Sequence, residues 1–224
     1  MQNETNSEED HKSAPKWRRK PESRPDEILD GALIEFRSRG FAGARIEDIA
    51  KHAGLSKGTV YLYFSSKEEM LKALVRRSVL PISEMFTDIA GHVQDNNKKA
   101  ADVLSQMIQI AANKFSNHEI GSIPLLIIGE AGNFPELAEF YRQEVIEASM
   151  KAIMTVLMFG IQKGEFRKCN PKYAVRTLMG ALLMQVIWDG TFARDDEEPI
   201  SYEELIQSHL DIFMNGILLP QENS

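Results

Sequence analysis

The sequence lacks the residues on which several classes of protein depend. Cys169 is the only cysteine among 224 residues, which excludes an internal disulfide framework. Long apolar runs are also missing. The longest, residues 178–188, includes Gln185 and falls short of the roughly 20 residues that cross a bilayer. The first twenty residues hold no apolar segment of signal-peptide type. Together these absences point to the cytoplasm. His11, His52, His92, His118 and His209 show no metal-ligand spacing. The adjacent acids 195–198 lack the spaced ligands of a calcium loop and read as a solvated loop. No glycine-rich phosphate loop occurs, and Cys169 precedes Asn170-Pro171 in a connecting segment without a nucleophile signature. An enzyme is therefore not indicated, nor is any cofactor or metal. No run alternates as a strand does.

Apolar residues make up 43% of the chain, enough for a sizeable core, and they recur at helical spacing almost throughout. Residues 1–24 are polar, contain prolines and show no periodicity, as a disordered arm would. A first helix carries Ile28, Leu29, Ala32, Leu33 and Phe36, and Gly40 stops it. A second carries Ile46, Ile49, Ala50 and Ala53 and ends at Gly54. Ser56 caps a third that runs to Tyr63. Ser66 with Glu69 forms a capping box for a fourth, which continues past a kink at Pro81. Later helices run from Lys99 to Ser116, from Ile123 to Glu130, from Pro135 to Lys163, from Pro171 to Phe192, and from Ser201 to Asn215. The fold class is all-α, in two parts that divide near Glu84.

Charge divides the same way. Residues 16–77 hold 14 basic and 9 acidic side chains, net +5, within a chain of net charge −7. Residues 78–224 hold 11 basic and 20 acidic. A basic head on an acidic body is what a phosphate-binding unit joined to a non-binding one would show. Within the head, Gly54 supplies a left-handed turn between two short helices, and Leu55 drops between them, which makes a helix-turn-helix. Its second helix would enter the DNA major groove. Lys57, Gly58 and Thr59 lead, and Gly58 lets the backbone come close to the bases. Tyr61 and Tyr63 offer hydroxyls to phosphates, and Lys67 adds charge. Arg18, Arg19 and Lys20 are either an arm that reaches DNA or a solvated run.

The stretch RIEDIAKHAGLSKGTVYLYFSSKEEML (residues 45–71) resembles the helix-turn-helix of the TetR family of transcriptional regulators. The matching types include Asp48-Ile49-Ala50, Ala53-Gly54, Ser56-Lys57-Gly58-Thr59, Tyr61, Tyr63-Phe64 and Lys67-Glu68. The resemblance covers residues 26–74, and GEAGNFPELAEFYRQEVI (residues 129–146) is similar to a segment of efflux-repressor members. Two positions depart. Ala44 stands where a capping threonine or serine is common, a change that costs about 1 kcal/mol. Leu62 stands where many members are polar, and is either a contact for a thymine methyl or a surface residue without a role.

The resemblance implies a head at residues 25–84, comprising a three-helix helix-turn-helix domain and the connecting fourth helix. It implies a helical ligand-binding and dimerisation domain at 85–220. Candidate DNA contacts are Arg45, Ser56, Lys57, Gly58, Thr59, Tyr61, Leu62, Tyr63 and Lys67. The implied partner is a palindromic double-stranded operator, bound by a homodimer joined through the helices from Pro171 to Phe192 and from Ser201 to Asn215. The first of these is apolar on more than one face. A small apolar or amphipathic effector would release this repressor. Its candidate pocket residues are Met107, Phe115, Phe140, Tyr141, Met150, Met154, Met158, Met179 and Trp188, for each of which ordinary core is the plainer assignment. Two alternatives stay open: a DNA binder controlled by a protein partner, and a helical adaptor or enzyme with a vestigial head.

Overall fold

The computed structural model describes residues 23–94, 98–194, 196, 198 and 200–218. Residues 1–22, and with them Arg18–Lys20 of the expected arm, lie outside it, as do Asp195 and Glu197 of the acidic loop. Helices account for most of the described residues. The only β contact among these residues is an isolated bridge between Phe166 and Leu218.

The head consists of α1 (Arg24–Gly43), α2 (Ile46–His52), α3 (Lys57–Tyr63) and α4 (Lys67–Ser78). Helix α1 breaks at Gly40, whose φ of 69° suits a residue without Cβ. The carbonyls after the break are left without helical partners, and Lys67 Nζ supplies donors to them: Phe41 O at 2.7 Å, Ala44 O at 3.0 Å and Ala42 O at 3.1 Å. Asp26 and Asp30 on α1 hold Arg77 at the end of α4. Glu35 is buried and lies 3.2 Å from Arg39 and 3.5 Å from His52. Phe36 and Phe41 fill the centre with Ile28, Ile49, Val60 and Leu74.

The body begins with α5 (Leu80–Gly91) and continues with α6 (Ala100–Phe115), α7 (His118–Glu130), α8 (Pro135–Tyr141), α9 (Ala148–Gln162), α10 (Pro171–Ile187) and α11 (Tyr202–Ile217). Its core stacks α5, α6 and α9, with α10 and α11 against them. The expected kink becomes a break. Helix α4 ends at Ser78, Val79 is a turn residue, and Pro81 sits in the first turn of α5, where its missing N–H leaves no bond unmade. Helix α7 starts five residues before the expected Ile123, because Asn117 caps it by accepting from Glu119 N.

The helix expected from Pro135 to Lys163 is interrupted by a π segment, Arg142–Glu147. The wider turn brings residues five apart onto one side. Arg142 accordingly pairs with Glu147 as well as with Glu139, and the guanidinium holds the Glu139 carboxyl below its ordinary range. A second π segment, Trp188–Phe192, ends α10. Such segments are rare and concentrate at functional places.

Candidate nucleic-acid interface and body cavity

Two regions stand out chemically: the outer face of α3 and a cavity inside the body. The α3 face is set by the turn before it. Gly54 adopts φ 67°, and Leu55 N donates to Ala50 O at 2.8 Å, which brings the chain back across α2. Leu55 packs against the head core. Ser56 then caps α3 by accepting from Thr59 N at 3.1 Å, as its position predicts. Val60 and Phe64 are buried beneath. Arg45, Lys57, Gly58, Tyr61, Leu62 and Tyr63 are exposed, and Thr59 is half-buried.

Lys57 is paired with Glu47 of α2, Nζ to Oε1 at 2.5 Å, and lies 5.8 Å from the centre of the Tyr61 ring. That bond is the main reason the Glu47 carboxyl sits below its ordinary range and the lysine above its own. Glu47 was not among the candidate residues. Its position in the first turn of α2 is a common helix-start preference, so nothing in the sequence marked it as a partner of Lys57. Lys67, expected to add charge toward phosphate, is placed otherwise. An ammonium has three protons, and three carbonyls of the α1 end take them. Its position is that of a cap.

Gly58 has an ordinary helical backbone. A Cβ built on it meets nothing nearer than Ser56 Oγ at 3.9 Å. The fold has room for a side chain there, and glycine within a helix costs about 1 kcal/mol relative to alanine. Nothing within the described chain requires glycine at this position.

The cavity has a volume of about 440 Å³ and lies between the α4–α5 junction, α7, the α8–π–α9 helix and α10. Among its lining residues only Tyr141, Ser149 and Arg176 have polar side chains. Burial pushes the Tyr141 phenol well above its ordinary range, so it stays neutral. Of the nine candidate pocket residues, Phe115, Tyr141, Met150 and Met179 line this cavity. The other five do not. Met107 is fully buried in the body core, and Met154 packs against that core. Met158 is 59% exposed on α9. Phe140 faces α4, with Arg76 at 4.9 Å and Lys72 at 5.7 Å from its ring. Trp188 borders a separate recess with Asp189 and Tyr202. Helical periodicity brings a methionine to one side of a helix but does not say whether that side meets another helix or a void.

The cavity walls also touch the elements that hold the head. Val79 and Ile82 of the α4–α5 junction line it. Tyr141 lines it and belongs to the head's apolar cluster. The carbonyl of Glu144, in the π segment, accepts from Ser83 Oγ of α5 at 3.4 Å. A further recess of about 510 Å³ between α1 and α7 is polar, with Arg37, His118, Glu130 and Asp189 on its walls. Among the described residues no three His, Cys, Asp or Glu side chains are grouped to hold a metal, and no helix is long and apolar enough to cross a membrane.

Comparison with known proteins gives two family matches. Residues 28–74 match the family model described as bacterial regulatory proteins, tetR family. Residues 102–216, just over half of the chain, match the C-terminal domain of AefR-like transcriptional repressors. The transcriptional repressor KstR2 of Mycolicibacterium smegmatis is 26% identical over 210 residues, 93% of this chain and 97% of its own length. The fatty acid metabolism regulator protein of Bacillus subtilis is 23% identical, covering 85% of this chain and 94% of its own. Among solved structures, FadR of B. subtilis in complex with stearoyl-CoA superposes with a TM-score of 0.62 at 21% identity, over 85% of this chain and 98% of that one. At that identity the likeness is one of fold.

Proposed function

The chain belongs to the TetR family of bacterial regulatory proteins, which are DNA-binding transcriptional regulators, and on that premise we propose how it works. It represses by binding a palindromic operator as a homodimer, and an elongated, mainly apolar effector in the body cavity releases it. The observation that carries the DNA contact is the outer face of α3. Lys57, Tyr61 and Tyr63 stand exposed around a glycine that the fold itself does not need. Ser56 and Arg45 flank that face at the starts of α3 and α2.

The cavity supports the effector class. Its walls offer hydrocarbon and aromatic surface, with Arg176 as the one charged group. A chain or ring system with a single anionic or polar end suits such a site. The stearoyl-CoA bound by B. subtilis FadR is one compound of that class. Helix α10 supports the dimer. Val175, Leu178, Leu182 and Val186 fill the core, while Tyr173, Leu183, Met184 and Phe192 remain exposed along the α10 segment, and Ile212 on α11 is 69% exposed. Apolar side chains in that number lose their contact with water against a second copy. The two heads would then meet successive major grooves about 34–36 Å apart.

An effector acts only through a difference in its affinity for two states of the body. Val79 and Tyr141 give it that difference, since they face the cavity and also belong to the head core, while Ile82 beside them belongs to the body core. The experiment is a selection of random duplexes by the purified protein, followed by titration at two salt concentrations with and without palmitoyl-CoA, stearoyl-CoA and a sterol. A two-half-site consensus, a steep salt dependence and release by one of these compounds are expected. No enrichment by a folded dimer would overturn the operator reading. Enrichment indifferent to every compound would overturn the effector reading and leave control by a protein partner.

A further inference from the structure

The apex of the recognition helix is apolar. Val60 is fully buried and Phe64 nearly so, and they mark the core side of α3. Leu62 lies two residues from each, which is about 200° around a helix. It therefore points directly away from the head core, and at 82% exposure it is the most exposed large apolar side chain among the described residues. Gly58, four residues earlier, is on the same stripe, with open space where its Cβ would be. The polar groups are at the sides: Tyr61 and Tyr63 flank Leu62, and Lys57 is drawn toward α2 by Glu47.

A helix in the major groove presents its apex to base edges and its flanks to the two phosphate backbones. The side chain at this apex has no donor or acceptor, so it cannot take part in the hydrogen-bond code of the bases. One apolar group is available in that groove, the C5 methyl of thymine. We propose that Leu62 is a specificity-determining residue that reads one thymine methyl in each operator half-site, and that Gly58 lets α3 sit deep enough for the contact. This rests on the DNA-binding reading above. It adds which base is read, and by what. A leucine senses the C5 substituent and is indifferent to the pairing edge, so 5-methylcytosine at the same position presents the same contact.

The test uses the full chain and its selected operator. Each thymine is replaced in turn, in both half-sites, by deoxyuridine, which removes the methyl and nothing else. A replacement in one half-site should weaken binding about fourfold, and the same replacement in both about fifteenfold, the effect of exposing one methyl and then two. Leu62→Ala, whose side chain supports no internal packing, should keep its melting temperature and salt slope. It should bind the thymine operator as weakly as the native chain binds the uridine one, and should not distinguish the two. Cytosine at that position should be bound more weakly than 5-methylcytosine by the native chain, and equally by the variant. The proposal is overturned by a half-site consensus without thymine, by indifference of the native chain to uridine at every position, or by a Leu62→Ala variant that keeps the full uridine penalty. Failure of the native chain to bind any duplex removes the DNA reading itself, and this one with it.

Discussion

Lys67 in the head gives all three of its protons to the carbonyls of Phe41, Ala42 and Ala44, while beside Ser149 in the body a space of about 440 Å³ is left unfilled. The contrast extends to the helices. In the head, Ser56 caps α3 and Ser66 caps α4, and Asp26 and Asp30 fasten Arg77. In the body, two π segments widen the helices, and Pro124 lies inside α7. A reader of DNA must hold its contact groups in one geometry, because misplaced donors lose their base edges. A receptor gains by the opposite, because an unfilled interior leaves dispersion energy to be recovered by a ligand. The junction between them belongs to both, since Tyr141 is part of the head cluster and of the cavity wall.

That contrast can be tested most severely at Phe36, which is fully buried in the head. Phe36→Ala should cost about 3–5 kcal/mol in urea unfolding, and a loss under about 1 kcal/mol would show a head no tighter than the body. Lys67→Met comes next. It leaves the three carbonyls of the α1 end without that donor and should cost about 1–3 kcal/mol. If it instead leaves stability unchanged and only lowers the salt slope of DNA binding, Lys67 is a phosphate contact after all. Gly58→Ala should move the two properties in opposite directions. Thermal unfolding should show a gain of about 0.5–1 kcal/mol, while operator affinity falls, because the added methyl fits the free head but not the approach to DNA.

Ser149→Leu should do little to the stability of the free body, since its side chain enters space that is already empty. It should abolish the rise in melting temperature that palmitoyl-CoA gives the native chain, and a persisting rise would place the effector elsewhere. The smallest effect belongs to Glu69. Its carboxylate accepts from Ser65 N at 2.6 Å and is held below its ordinary value of 4.5. A lowered folded value means that the stabilisation is complete above the ordinary value and is lost as pH falls through the folded one. The melting temperature should therefore decline less between about pH 5 and pH 3 in Glu69→Gln than in the native chain.

The head was largely legible in the sequence because its signals are local. Ser56 is three residues from the amide it caps, Gly54 is itself the turn, and Val60 and Phe64 share a face by spacing alone. The sequence predicts a capping box from Ser66 and Glu69, and only half of it forms: Ser66 Oγ accepts from Glu69 N, but the Glu69 carboxylate accepts from Ser65. The body was legible as a series of helices but not as a container. Nothing near Arg142 announces that the chain will widen there, because a π turn is chosen by what surrounds it. Here those surroundings include α5, whose Ser83 hydroxyl lies 3.4 Å from the Glu144 carbonyl, and the Arg142–Glu147 pair follows from the wider turn.

By itself the sequence determined an all-α fold class, a helix-turn-helix at residues 45–64, and a basic head on an acidic body, since helix periodicity, capping and charge act over a few residues. Tertiary structure alone decided that Lys67 turns inward to α1, that Met107 is core while Met179 borders a cavity, and that Leu62 is left exposed at the apex. Each of these depends on groups brought together from distant parts of the chain. Spacing along one helix fixes which side chains share a face, and only packing fixes what that face meets.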